Sequence, residues 1–226
     1  VEVDAELRAR YEGVMASIDA AAQNAGRSRE DLTLIVVTKF HPASLVRELH
    51  SLGVRHIGEN RHQDAEPKAR ELGDLPLTWH FVGQLQSNKA RAVTEYCRVI
   101  HSLDRSSLLR ALDRAEAPVE VFLEVNLTDD PGRGGAEPTQ LPDLAERVLA
   151  SDHLTLRGVM AVAPRDEEPR RAFARLREHS EVVRRIAPEA VQISAGMSGD
   201  FADAIAEGAT HLRIGTAITG NRPSDR

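Results

Sequence analysis

Leu34-Ile35-Val36-Val37-Thr38-Lys39 decides how this chain is read. A short apolar, β-branched run with a charge directly after it predicts a strand buried on both faces, as in a parallel sheet. Seven similar runs follow: 54–58, 79–83, 98–102, 119–126, 156–162, 191–194 and 211–215. The segments between them have helical character, with Pro42 near one start and Gly53, Gly73 and Gly208 as stops. Before the first run, Leu7, Tyr11, Val14 and Ile18 recur at helical spacing up to Gly26. Eight strand-then-helix units require crossover connections and so a parallel sheet, and eight is the number that closes a barrel. The expected fold is α/β: a single (β/α)8 TIM-like barrel over residues 33–220, with a leading helix in 1–26 and a tail at 221–226. An open doubly wound sheet is the alternative.

The composition narrows the function classes. The 226 residues are 41% hydrophobic and 28% charged, enough apolar material for a sizeable core. A net charge of -6 gives no footprint for nucleic acid or an anionic membrane. No apolar run approaches the roughly 20 residues of a membrane span, and the start carries no signal-peptide pattern. The single cysteine, Cys97, is expected to be buried and reduced, which fits a cytoplasmic protein. Among 29 lysines and arginines, only Lys39, Lys68 and Lys89 are lysine. Lysine can lose its proton and act as a nucleophile, which arginine cannot.

In such a barrel, chemistry gathers where strands end and the following loops begin. Lys39 ends the first strand, where a stem in low dielectric favours the neutral amine that attacks carbonyls. Gly58-Glu59-Asn60 ends the second and offers an amide. His80, beside aromatics, is expected to be structural, and Asn126 ends the fifth strand. Ser198-Gly199 precedes a helix, where free amides and the helix dipole favour an anion, although Ser198 as a plain N-cap also explains the pattern. Arg213, inside an apolar strand, is expected to point into the barrel with His211 and to need an acceptor. Gly215-Thr216 supplies a second loop of small residues, and phosphate sites commonly use the loops after strands seven and eight. The loop 129–135 is expected to be solvated and Lys68 to be a surface charge. An amine nucleophile with a phosphate site opposite suits a phosphorylated carbonyl compound: pyridoxal phosphate or a sugar phosphate.

Several motifs then separate these two. They are Lys39 with Pro42, Gly58-Glu59-Asn60, His80-Phe81-Val82-Gly83 with Leu85-Gln86 and Asn88-Lys89, Gly158-Val159-Met160-Ala161, Gly196-Met197-Ser198 with Asp200, and Arg213-Ile214-Gly215-Thr216 with Gly220. In order and spacing the chain resembles the small pyridoxal-phosphate homeostasis proteins, which look like the N-terminal barrel of alanine racemase (fold type III) without its second domain. The resemblance implies that Lys39 forms a Schiff base with pyridoxal 5'-phosphate. Ser198, Gly215 and Thr216 would hold the phosphate, with Met197 also a contact. Asn60 would lie beside the ring and Arg213 would face its nitrogen.

An arginine there donates and stays charged, so the ring nitrogen stays unprotonated and the ring is a poorer electron sink. The resemblance therefore implies storage, buffering or delivery of the cofactor, with apo-enzymes as the partners that delivery would involve, by a monomer without robust turnover. A minimal amino-acid racemase is the enzymatic alternative, needing a second base from His80, His101 or Cys97. A lysine-dependent aldolase-type barrel is the third. Phe40-His41, Ala195 and Thr219 depart from the family's usual residues and bear on the pocket's fit.

Overall fold

The computed structural model describes residues 2–221; the remainder of the expected 221–226 tail lies outside them. Eight parallel strands close in sequential order: β1 (Thr33–Val37), β2 (His56–Glu59), β3 (Thr78–Phe81), β4 (Val99–Leu103), β5 (Val119–Glu124), β6 (Leu154–Met160), β7 (Gln192–Ser194) and β8 (His211–Ile214). Closure joins β1 to β8, with Thr33 opposite His211 and Val36 opposite Ile214. The barrel reading therefore holds and the open sheet does not. Every expected run is a strand, with ends that differ by at most two residues. Thr38 and Asn126 lie just past strands that were expected to include them.

The helices α2 (Ala43–Ser51), α3 (His62–Glu71), α4 (Ala90–Thr94), α5 (Ser106–Asp113), α6 (Leu141–Leu149), α7 (Pro169–Ile186) and α8 (Phe201–Ala206) surround the sheet, with α9 (Thr216–Thr219) after β8. The leading helix is α1 (Ala5–Asn24); Asp4 caps it by accepting from Leu7 N at 2.9 Å. Its buried stripe is Leu7, Val14, Ile18 and Ala22. Arg10 Nε donates to Ile218 O, which ties α1 to α9, and Arg27 Nη1, just past α1, donates to Ile205 O in α8 and to Ala209 O. Most of the core lies between sheet and helices. No described helix is long and apolar enough to cross a membrane.

Inside the barrel the packing is unusual for this architecture, which ordinarily stacks branched apolar layers. Val99, Phe122 and Met160 form a small separate cluster. Around them His56, His80, His101 and His211 contribute imidazoles from four strands, with Phe122 stacked on His101 (4.6 Å between centroids) and edge-on to His211.

Burial holds all four rings below the ordinary histidine value, His211 down to about 4. Each ring therefore binds its proton less readily in the folded than in the unfolded chain. Their contribution is complete above about pH 6.5 and is lost progressively as pH falls from there toward the folded values, about 4 for His211. Glu59 and Glu124, both raised chiefly by burial, act oppositely; for Glu124, acid between about pH 7 and 4.5 favours the native form. With four rings against two carboxyls, the expected result is a thermal midpoint that drops between pH 7 and pH 5. His211 alone accounts for on the order of 3 kcal/mol of destabilisation once the pH reaches 4. Calorimetry showing a midpoint that rises on acidification would contradict the balance.

Candidate functional site

Lys39 follows β1 in a turn closed by His41 N donating to Thr38 O at 3.1 Å. Its side chain is exposed, which corrects the expectation of a stem held in low dielectric. What precedes it is tightly fixed. Thr38 is buried; its Oγ1 donates to Glu59 Oε1 at 2.7 Å, and its carbonyl accepts from Lys68 Nζ at 2.9 Å. Lys68 also pairs with Glu59 Oε1 at 2.5 Å. Lys68 is thus a buried ion-pair partner rather than the surface charge expected, because α3 turns this face against β1 and β2.

Breaking such a pair from one side leaves a buried charge uncompensated. Lys68→Met is expected to lower stability by about 3–5 kcal/mol in urea unfolding, and Glu59→Gln added to it to restore part of the loss. A near-neutral Lys68→Met would show that the pair does not anchor this corner.

Asn60 follows β2, and its Oδ1 is buried without a partner among the described residues. Gly83 comes so close to the Asn60 backbone that a Cβ there would collide with it. Asn60, Arg61, His62, Gln84, Gln86 and Lys89 border a cavity of about 340 Å³ at this end of the barrel.

On the other side of β1, β8 and then β7 present the other predicted residues. Met197 is exposed, and its N–H donates to Asp200 Oδ1 at 2.7 Å. Ser198 Oγ accepts from Ala217 N at 3.3 Å and so joins the two closing loops. The N-cap of α8 is Asp200, not Ser198, which removes the plain-cap explanation of Ser198. Among the described residues, no acceptor takes the amide hydrogens of Ser198, Gly199, Gly215 or Thr216.

Arg213 points into the barrel as expected and is only 4% exposed. Nη1 donates to Ser194 Oγ at 2.7 Å and Nη2 to Ala161 O at 3.0 Å. Among the described residues it forms no ion pair, and burial pulls its guanidinium down to about 10 against the fields of Glu124 and Asp200. A buried guanidinium held only by neutral oxygens has charge left for a ligand.

One acidic group escaped the sequence reading. Glu124 ends β5, accepts from Gln84 Nε2 at 2.9 Å, and is pushed up to about 7 by burial and then by Asp104. Extending the fifth strand to Asn126 hid it; a charge ending an apolar strand was the available signal. Asn126 itself is structural, with Nδ2 donating to Asp130 O and Oδ1 accepting from Thr128 N and Oγ1. It folds the loop 129–135, which is largely exposed as expected and uses Gly132 N and Gly135 N on Asp130 and Asp104.

The proposed second bases are not at this surface. His80 and His101 are in the barrel interior, and Cys97 is buried with Sγ against Trp79 O and Val99 O, its thiol pushed up to about 12 by burial.

A closed parallel barrel with a lysine after its first strand and a buried arginine on its last defines a class, and the comparisons agree with it. The family model described as alanine racemase, N-terminal domain, matches residues 16–223, and the chain belongs to this family. More particularly, it is 43% identical over 216 residues to the pyridoxal phosphate homeostasis protein of Pseudomonas aeruginosa, covering 92% of this chain and 93% of that one. It is 39% identical to the protein of the same name from Escherichia coli, covering 91% and 92% of the two chains. Among solved structures, PipY of Synechococcus elongatus with pyridoxal phosphate bound is 36% identical with a TM-score of 0.81, covering 91% of this chain and all of that one. Alanine racemase from Corynebacterium glutamicum shares the fold at 15% identity (TM-score 0.72), with 95% of this chain aligned to 62% of the enzyme.

Proposed function

We propose that this protein binds pyridoxal 5'-phosphate and takes part in its homeostasis, holding it through an imine between Lys39 Nζ and the aldehyde carbon. The carbonyl oxygen leaves as water. Pyridoxal phosphate homeostasis is in the names of relatives up to 43% identical, and one 36% identical structure has the cofactor bound. The observation within this chain that carries the reading is Arg213, a buried guanidinium without an ion pair among the described residues. The unmatched amides of Ser198, Gly199, Gly215 and Thr216 and the unpartnered Asn60 Oδ1 support the same fit.

In this reading Ser198, Gly215 and Thr216 hold the phosphate with Met197 at its edge, Asn60 flanks the ring and Arg213 donates to its nitrogen. The bound group supplies a conjugated imine able to stabilise a carbanion. Arg213, a donor that keeps its proton, weakens that capacity. Holding the cofactor is therefore favoured over turning it over. The racemase alternative draws no support from His80, His101 or Cys97, whose burial keeps them from the strand ends.

Mixing the protein with pyridoxal phosphate is expected to give a visible band that disappears on borohydride reduction, with the added mass mapped to Lys39. A colourless protein that takes up no cofactor, or label on Lys68 or Lys89, would overturn the reading. With amino acids in deuterium oxide, no multiple-turnover α-exchange is expected, and clear exchange would make the protein an enzyme. Arg213→Glu is expected to retain the cofactor while moving the absorption maximum, because a carboxyl at this place changes the ring nitrogen's protonation. An unmoved maximum would place Arg213 away from the ring.

A further inference from the structure

A line of side chains crosses the barrel interior to Arg213. His56 Nδ1 is 2.9 Å from His80 Nε2, His80 Nδ1 is 2.9 Å from His101 Nε2, and His101 Nδ1 is 2.8 Å from Ser194 Oγ, the oxygen that also accepts from Arg213 Nη1. His80, His101 and Ser194 are buried; His56 is half-buried and borders a cavity at the opposite end of the barrel with Tyr11, Arg29 and Arg55.

Donor and acceptor arithmetic gives this line one direction. A guanidinium only donates, and a neutral imidazole has one donor and one acceptor nitrogen. Since Ser194 Oγ already accepts from Arg213, its own hydrogen must go to His101 Nδ1. Were His101 the donor instead, the hydroxyl hydrogen would have no acceptor among the described residues. His101 therefore carries its hydrogen on Nε2 and donates to His80 Nδ1, and His80 carries its own on Nε2 and donates to His56 Nδ1. Phe122, stacked on His101 with planes 12° apart, resists turning of that ring. Every bond dipole then points its negative end toward Arg213, and such aligned chains strengthen one another.

We propose that His101, His80 and Ser194 are positioning residues for the cofactor: their single hydrogen-bond direction holds the Arg213 guanidinium where the ring nitrogen lies. This rests on the reading of Arg213 given above. It assigns a task to the two buried histidines that a racemase would have needed as bases.

Two measurements test it separately. In protein labelled with nitrogen-15 and free of cofactor, long-range proton–nitrogen spectra at pH 7.5 should show His80 and His101 as neutral rings protonated on Nε2. A hydrogen on Nδ1 of either ring, or an imidazolium, overturns the direction. In protein loaded with pyridoxal phosphate, His101→Leu should move the absorption maximum the same way as Arg213→Glu and weaken cofactor retention about tenfold. His101→Asn, whose amide oxygen can accept from Ser194, should restore both; a purely structural role would give no such rescue. An unmoved maximum in His101→Leu overturns the positioning role. Ser194→Ala gives the same readout should the leucine variant fail to fold. If the unmodified protein takes up no cofactor, the site reading fails and the positioning role with it, while the nitrogen spectra still decide the direction of the line.

Discussion

Lys39→Arg should remain folded yet give no imine band with pyridoxal phosphate, its spectrum matching free cofactor at every concentration tried. Guanidinium does not deprotonate to attack an aldehyde, so the covalent signal should vanish completely rather than weaken. The side chain is exposed, and surface substitutions usually change stability by no more than about 0.5 kcal/mol, so the melting temperature should scarcely move. The other lysines are poor substitutes. Lys68 Nζ is committed to Glu59 and the Thr38 carbonyl, and Lys89 lies in the loop after β3. A band surviving in Lys39→Arg would show that the amine had been misassigned.

Gly158→Ala should be the most damaging single methyl in the barrel. Gly158 has φ +154 and sits where the β5–β6 register slips, opposite Phe122 and Gln192. An added Cβ would run into the Gln192 carbonyl oxygen and come within 2.6 Å of its carbon, both of them backbone of β7. A strand pair inside a closed sheet cannot give way without opening the barrel. The expected cost is at least about 4 kcal/mol, or roughly 10 °C or more in melting temperature, with insoluble protein the extreme outcome. Gly13→Ala is the matched control. It lies in the exposed face of α1 with nothing within 4 Å of the new methyl, and should stabilise by about 0.5–1 kcal/mol. Equal melting temperatures for the two variants would refute the steric account.

The sequence disclosed the architecture because each strand is a short apolar run between polar punctuation, a local signal that tertiary contacts did not override. Lys39 and Arg213 were legible for the related reason that a charge beside or within such a run is anomalous. The residues that were missed depend on non-local facts. Lys68 lies in His62–Glu71, a helix so polar that its inward face cannot be read from periodicity. Glu124 and Asn126 exchanged apparent roles through an error of two residues at a strand end. The histidine line joins partners 24, 21 and 93 positions apart, and no local pattern connects them.

The pairing of Thr33–Val36 with His211–Ile214 also has a temporal side. A ribosome delivers Lys39 159 positions ahead of Ser198 and 177 ahead of Thr216, so on the proposed reading the amine exists long before the loops that would seat a phosphate. Ring closure pairs β1 with β8 across 178 positions, a separation that makes such pairing slow, and it brings the ends of these two strands together. On the proposed reading, a chain that lacks β8 would not seat the phosphate, and ligand added during refolding should favour only the finished state, by RT ln(1 + [L]/Kd).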